Sequence, residues 1–260
     1  MSKHTKFGFY IFFVPIFLWL FLLIVLPHIE LFLMSLKYEN DMGDMVWSLQ
    51  NYKEFFIEEI YWLTFVRVAI YAILVTFLTF VITFPIAFYV TKVVSPRYKG
   101  FLIILLLMPF WVSELVRVYG WMLYNDVSMI MGLVYTSMLF MVVPLISSLD
   151  GMDDSYIEAA HDLGASKFII FFKIVIPYTA PGIVSGSIVV FMLTLGNYLT
   201  PNLMGGKNSL WFTEQIYNQF IASFNWNQGA AFGFLLLVLS SFIIWLGLKL
   251  TKQSLTKALS

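Results

Sequence analysis

The sequence predicts an all-α polytopic membrane protein with six transmembrane helices, and three observations carry that expectation. Charged residues make up 12% of the chain and apolar ones 60%, with a mean hydropathy of +0.86, where soluble domains carry roughly 25% charged residues. Six stretches reach the ~20 largely apolar residues that cross a hydrocarbon core, near 8–35, 64–91, 101–123, 127–149, 177–200 and 230–250. Lysine and arginine are shared unevenly among the segments that join them.

The first stretch has basic residues and then an apolar run from Phe7 to Pro27. That run is longer than a signal-peptide core, and no small-residue cleavage site follows it, so it reads as a retained span. It ends at His28 and Glu30, which reach interfacial water. Residues 37–59 carry Glu39, Asp41, Asp44, Glu54, Glu58 and Glu59 against Lys37 and Lys53, which reads as a solvated acidic loop. Arg67 opens the second span and is expected to snorkel. The third and fourth spans meet at Tyr124 to Asp126 in a tight hairpin, and the fifth and sixth follow Pro177 and Gln228.

With the N-terminus inside, the inner segments hold ten basic residues: Lys3, Lys6, Lys92, Arg97, Lys99, Lys167, Lys173, Lys249, Lys252 and Lys257. The outer segments hold Lys37, Lys53 and Lys207. This asymmetry puts both termini in the cytoplasm. The zero net charge gives no field that would gather nucleic acid. The absence of cysteine excludes thiolate catalysis and disulfides and leaves the redox compartment unread. HExxH, GxSxG and GxxxxGK[ST] motifs do not occur, so the chain has no phosphate-binding P-loop of its own.

The polar stretch LDGMDDSYIEAAHDLGASKFIIFFKIVIP, at 149–177, breaks the apolar pattern on the cytoplasmic side. Ser155 and Glu158 have the spacing of a capping box. Tyr156, Ala159, Ala160 and Leu163 then recur on one helical face, and Gly164 suits the left-handed stop. Ser166 starts a second helix whose face is Phe168, Phe171, Phe172 and Val175, ended by Pro177. Two short amphipathic helices with a small-residue face and an aromatic face suit a protein partner or the membrane interface. The acidic first helix favours the protein. Asp150, Asp153 and Asp154 read as helix capping, with a divalent-metal site of a membrane phosphotransferase as the alternative.

Glu158-Ala159-Ala160, Gly164 and Ile174-Val175-Ile176-Pro177 resemble the EAA motif (EAA-x3-G-x9-I-x-L-P) of ABC importer permeases, with Ile176 in place of Leu. Met108-Pro109-Phe110-Trp111, Leu115 to Tyr119, Gly132 to Tyr135, Phe140 to Leu145, Asp162 to Lys167, Gly196 to Pro201 and Leu203 to Gly206 extend the resemblance toward permeases of polyamine importers. So do Gln219-Phe220 and Trp226. The resemblance implies a type I ABC importer permease fold, one transmembrane domain over 1–260 with a coupling loop at 150–176. It implies a spermidine/putrescine importer in a bacterial inner membrane, surrounded by lipid. Glu158, Ala159, Ala160, Gly164 and Ser166 would contact an ATPase dimer that binds ATP and magnesium, while this chain binds no cofactor. A second homologous permease and an extracytoplasmic substrate-binding protein would complete the complex. Another organic cation, an amino-acid-like solute or ferric iron are alternative cargoes that the EAA pattern does not distinguish. The hairpin between the third and fourth spans is shorter than in that family.

Polyamines need carboxylates and aromatic faces, and ionisable residues within spans are costly. Glu114 and Arg117, three apart, form either an ion pair that fixes packing or a pathway lining. Trp111, Trp121, Tyr119 and Tyr124 lie beside them. Asn197 and Tyr198 precede Pro201 at an expected break near the end of the fifth span, an ordinary helix end or a pathway feature.

Overall fold

A computed structural model describes residues 13–40, 42–119, 124–206 and 210–251. Both chain ends, with Lys3, Lys6, Lys252 and Lys257, lie outside them, as do Trp121 and Lys207.

The chain begins with helix α1 (Phe13–Ser35), followed by a hairpin of β1 (Lys37–Glu39) and β2 (Met45–Trp47), then α2 (Gln50–Ile57) and the long α3 (Glu59–Val93). Helix α4 (Pro96–Leu107) runs into a 3-10 turn at Met108–Trp111, and α5 (Glu114–Tyr119) follows. Helix α6 (Asp126–Asp150) leads to α7 (Ser155–Asp162) and α8 (Lys167–Tyr178). The rest is α9 (Ala180–Gly196), α10 (Leu199–Met204), α11 (Phe212–Tyr217), a π turn at Asn218–Ala222 and α12 (Trp226–Thr251).

Among the described residues, four helices are long and apolar enough to cross a membrane: Phe13–Ser35, Glu59–Val93, Asp126–Asp150 and Trp226–Lys249. The pair α8 and α9, bent by 67°, makes a fifth if counted as one span. The expected third span is not one helix. Pro109 lacks the amide that would continue α4, and Val112 turns extended at φ −86°, ψ 132° before α5 restarts. The expected fifth span also begins differently, because α8 continues from the polar insert and bends at Thr179.

The chain divides into two compact units, Met1–Trp62 with Gln215–Val238, and Leu63–Glu214 with Leu239–Ser260. In the first, Phe55 and Tyr61 set their rings against Phe232 at 5.9 and 4.7 Å, and Phe32 meets Phe234 at 4.9 Å. Residues 37–57, expected as a loop, fold here. Asn40 Oδ1 accepts from the amides of Met42 and Asp44, and Gly43 supplies the left-handed φ of 84° that closes the hairpin. Buried Asn51 donates to the carbonyls of Ser35 and Lys37, tying α2 to the hairpin base.

In the second unit, α6 is the buried centre and α9 packs along it. Gly182 and Gly186 permit that approach: a Cβ at 182 would sit 2.6 Å from the Pro144 carbonyl oxygen, and one at 186 would sit 2.8 Å from Met141 Sδ. Phe84, Ala87 and Val90 of α3 join Met141, Leu145 and Leu149 of α6, and the same cluster continues through Ala160, Ile170 and Val175. The inward faces of α7 and α8 therefore extend the core of the bundle.

The Gly182→Ala variant should lose ~1–3 kcal/mol of stability from overpacking against backbone, read as a lower unfolding midpoint in detergent. Gly100→Ala, where an added Cβ meets nothing within 4 Å, should leave the midpoint unchanged or slightly raised.

Candidate functional site

The insert at 151–178 is held at its base and closed at its tip. Lys92, at the end of α3, is 7% exposed and reaches Asp154 at 2.7 Å and the Met152 carbonyl. Lys99 on α4 pairs with Asp150, and the Tyr178 hydroxyl donates to the Gly151 carbonyl. Helix α3 has 35 residues. At 1.5 Å per residue it is about 50 Å long and outruns the ~30 Å hydrocarbon core, so it can carry Lys92 beyond the lipid.

The start of α7 corrects the expected capping box. Ser155 is the first helical residue rather than the cap, and the cap residue Asp154 makes no side-chain bond to the helix. Instead, Asp153 Oδ1 accepts from the Ser155 amide at 2.9 Å. Asp153 thereby takes the amide that the Glu158 side chain would reach in a capping box, while the Glu158 amide donates to the Asp154 carbonyl. The Ser155 amide and hydroxyl, with Lys92 further off, hold the Asp153 carboxyl below the ordinary aspartate range.

The far end of α7 follows the sequence. Gly164 takes φ 76°, its amide donates to the His161 carbonyl, and the Ala165 amide donates to Ala160. These two bonds form a Schellman stop. Ser166 Oγ then accepts from the Ile169 amide and opens α8.

The two expected faces are divided between core and surface. Ala160 is buried, as are Ile170 and Val175, and the Phe171 ring meets Phe84 at 5.3 Å. Glu158, Ala159, Gly164 and Ser166 are exposed. Tyr156 is 55% exposed, Leu163 87% and Phe168 71%, with the Phe168 ring against Phe172 at 4.5 Å. The tip thus presents apolar side chains that the chain does not bury.

A second polar cluster lies at the two helix breaks. Glu114 Oε1 accepts from Asn197 Nδ2 and from Thr200 Oγ1, each at 3.1 Å. Asn197 Oδ1 accepts from the Thr200 amide at the start of α10, and its carbonyl accepts from Thr213 Oγ1 at 2.8 Å. The structure therefore brings Glu114 and Asn197 together, with Tyr198 half-buried beside them. Trp111 and Tyr119 are exposed and join no part of the cluster. Arg117 does not pair with Glu114; its guanidinium sits 5.7 Å from the Tyr135 ring, and its Nε is buried without a hydrogen bond. Thr200 is the functional candidate that the sequence reading missed, because a threonine three residues after an asparagine carries no charge to mark it.

Arg67, at the start of the second expected span, bonds Asp126 at 2.6 Å, and the Tyr71 hydroxyl donates to the same carboxylate. The acids of the DGMDD stretch are each engaged, by Lys99, Ser155 and Lys92, and no group of three or more metal-ligating residues occurs among the described residues.

Residues 60–252 match the family described as binding-protein-dependent transport system inner membrane component. The chain belongs to that family. It is 32% identical over 240 residues to the spermidine/putrescine transport system permease protein PotB of Salmonella typhimurium, covering 82% of this chain and 83% of that one. To PotB of Haemophilus influenzae it is 28% identical over 260 residues, covering 88% and 89%. Its fold matches a chain of a bacterial alginate ABC transporter, solved in complex with alginate pentasaccharide-bound periplasmic protein, with a TM-score of 0.73 at 14% identity and 97% and 98% coverage. The family establishes a multi-pass inner-membrane transport permease rather than the membrane phosphotransferase that the aspartates suggested.

Asp153→Ala should open the first turn of α7, seen as faster amide exchange at residues 155–158 with the rest of the bundle unchanged. Because the Asp153 carboxyl is held low, its contribution is fully present above the ordinary aspartate value and is lost as pH falls through the lowered one. Wild-type protection at those amides should therefore hold at neutral pH and be lost only as pH falls below the ordinary aspartate value.

Proposed function

We propose that this chain is a permease subunit of an ATP-driven importer of spermidine and putrescine, supplying half of the translocation pathway and coupling to a separate ATPase through residues 150–176. Both termini lie in the cytoplasm in this reading, in line with the lysine and arginine distribution. A second homologous permease, an ATPase dimer carrying ATP and magnesium, and an extracytoplasmic binding protein complete the complex.

The observation that carries the coupling role is the tip of the insert, where Leu163 is 87% exposed beside Ala159, Gly164 and Phe168 on a base tied to α3 and α4. An exposed apolar tip on a braced support suits insertion into a partner's groove. Glu158, Ala159, Gly164 and Ser166 lie at the surface where they can touch that partner. Ala160, buried at 8% exposure, acts from inside by holding α7 on the core.

The Glu114–Asn197–Thr200 cluster supports the substrate reading. A carboxylate already oriented by an amide and a hydroxyl suits an ammonium group passing the helix breaks. The likeness to PotB proteins points to polyamines.

Two results would test this. Leu163→Asp should abolish substrate-stimulated ATPase activity in the assembled complex while the chain still inserts and unfolds at its normal midpoint; full coupling in that variant would sink the docking role. Glu114→Gln should raise the KM for spermidine uptake about ten-fold, the loss of one charge-assisted contact, and unchanged kinetics would leave Glu114 a structural residue.

A further inference from the structure

A cavity lies wholly within the unit formed by Met1–Trp62 and Gln215–Val238. It measures about 790 Å³ and is lined by the hairpin on one side and residues 223–227 on the other. Its lining differs from that of two other cavities. The groove at Ile73, Phe77 and Ile244 and the one at Leu78, Ile82 and Met131 are almost wholly apolar, as expected of surfaces facing lipid. Among its described residues the hairpin cavity instead carries the carboxylate of Glu39, with aromatic rings at Tyr38, Phe224 and Trp226 and thioethers at Met34 and Met42.

Three features mark it as a built site. Glu39 is the single charged residue among the described residues of the lining, and Lys37 of the same hairpin is turned to the Trp47 ring at 5.6 Å. Asn51, which also lines the cavity, is 1% exposed; both of its amide donations are used, and its Oδ1 is buried with no hydrogen-bond partner. Such an acceptor left unpaired costs about 1–3 kcal/mol. Phe224, 75% exposed, takes a left-handed φ of 51°, a conformation that a bulky residue adopts only under constraint.

We propose that this cavity is a receiving site for a linear polyammonium ion, distinct from the Glu114 cluster. A carboxylate attracts one ammonium, aromatic faces hold a second by cation–π contact, and the methionines accept the methylene segments between them. With no cation among the described lining residues, the cavity disfavours anions. The identity of the cargo rests on the polyamine reading above, as does the outward exposure of this loop, where an incoming substrate arrives.

The test is equilibrium dialysis of radiolabelled spermidine against the full chain, assembled with its partner subunits in lipid nanodiscs and without binding protein. A Glu114→Gln background silences the inner cluster. The parent should bind spermidine saturably, Glu39→Gln should raise Kd at least five-fold, and Glu39→Lys should abolish binding. Glu58→Gln, in the same acidic segment but outside the lining, should bind as the parent does. Equal Kd in the Glu39 variants and the parent overturns the site. So does a Glu39→Lys variant that weakens attachment of the binding protein while the spermidine Kd stays put, since the cavity would then be a protein contact. If the parent binds no spermidine while cells carrying the wild-type complex still take it up, the site fails and the polyamine reading stands. If those cells take up none, the polyamine reading falls and the site with it.

Discussion

Hydrocarbon offers no hydrogen-bond partner to a peptide group, so every backbone amide and carbonyl in the bilayer must be satisfied by the chain itself. Most of this protein meets that demand with long helices. Where the helices stop, side chains take over: Asn197 accepts the Thr200 amide at the start of α10, and its own carbonyl takes the Thr213 hydroxyl. Asn125 does the same for the Ser128 amide at the start of α6. The break between α4 and α5 and the break between α9 and α10 are joined through Glu114. The polar residues that satisfy the ends of these interrupted helices are thus the same residues that hold the half-buried Glu114 carboxyl.

The remaining architecture follows from two kinds of contact. Glycines at 182 and 186 bring α9 against α6 closely enough that backbone meets side chain, and this pair forms the centre on which α3 packs. Lys92 and Lys99 then fasten the polar insert to the ends of two different helices. Exposed ion pairs contribute little energy singly. Here their value is geometric, because Lys92 is buried to 7% exposure and bonds both a carboxylate and a backbone carbonyl of the insert base.

Much of this was legible in the sequence, and the parts that were not have physical reasons. Long apolar runs marked α1, α3, α6 and α12 because their hydropathy is local information. The third run has the same composition, yet Pro109 breaks it, and composition over twenty residues is blind to one missing amide. Gly164 and Ser166 announced the turn between α7 and α8, since a left-handed stop and a hydroxyl cap depend only on neighbours. Ser155 misled, because Asp153 competes for the same amide and wins. The candidate pathway residues divided on a non-local fact: Glu114 found Asn197 and Thr200 more than eighty positions away, and Arg117 found Tyr135 instead of Glu114. The hairpin at 37–47 was missed because its acidic residues outweigh the Asn40–Gly43 turn signal in any count of charge.

The division of α7 and α8 into inward and outward residues has a consequence for how such a chain diversifies. Ala160, Ile170 and Val175 carry the packing of the insert, whereas Tyr156, Ala159, Leu163 and Phe168 carry none of that burden. Surface substitutions away from buried features cost little stability. The outward set is therefore free to drift with whatever surface it meets, while the inward set stays answerable to the bundle. Affinity for a new partner could be grafted onto this protein at four positions without reopening the question of whether it folds.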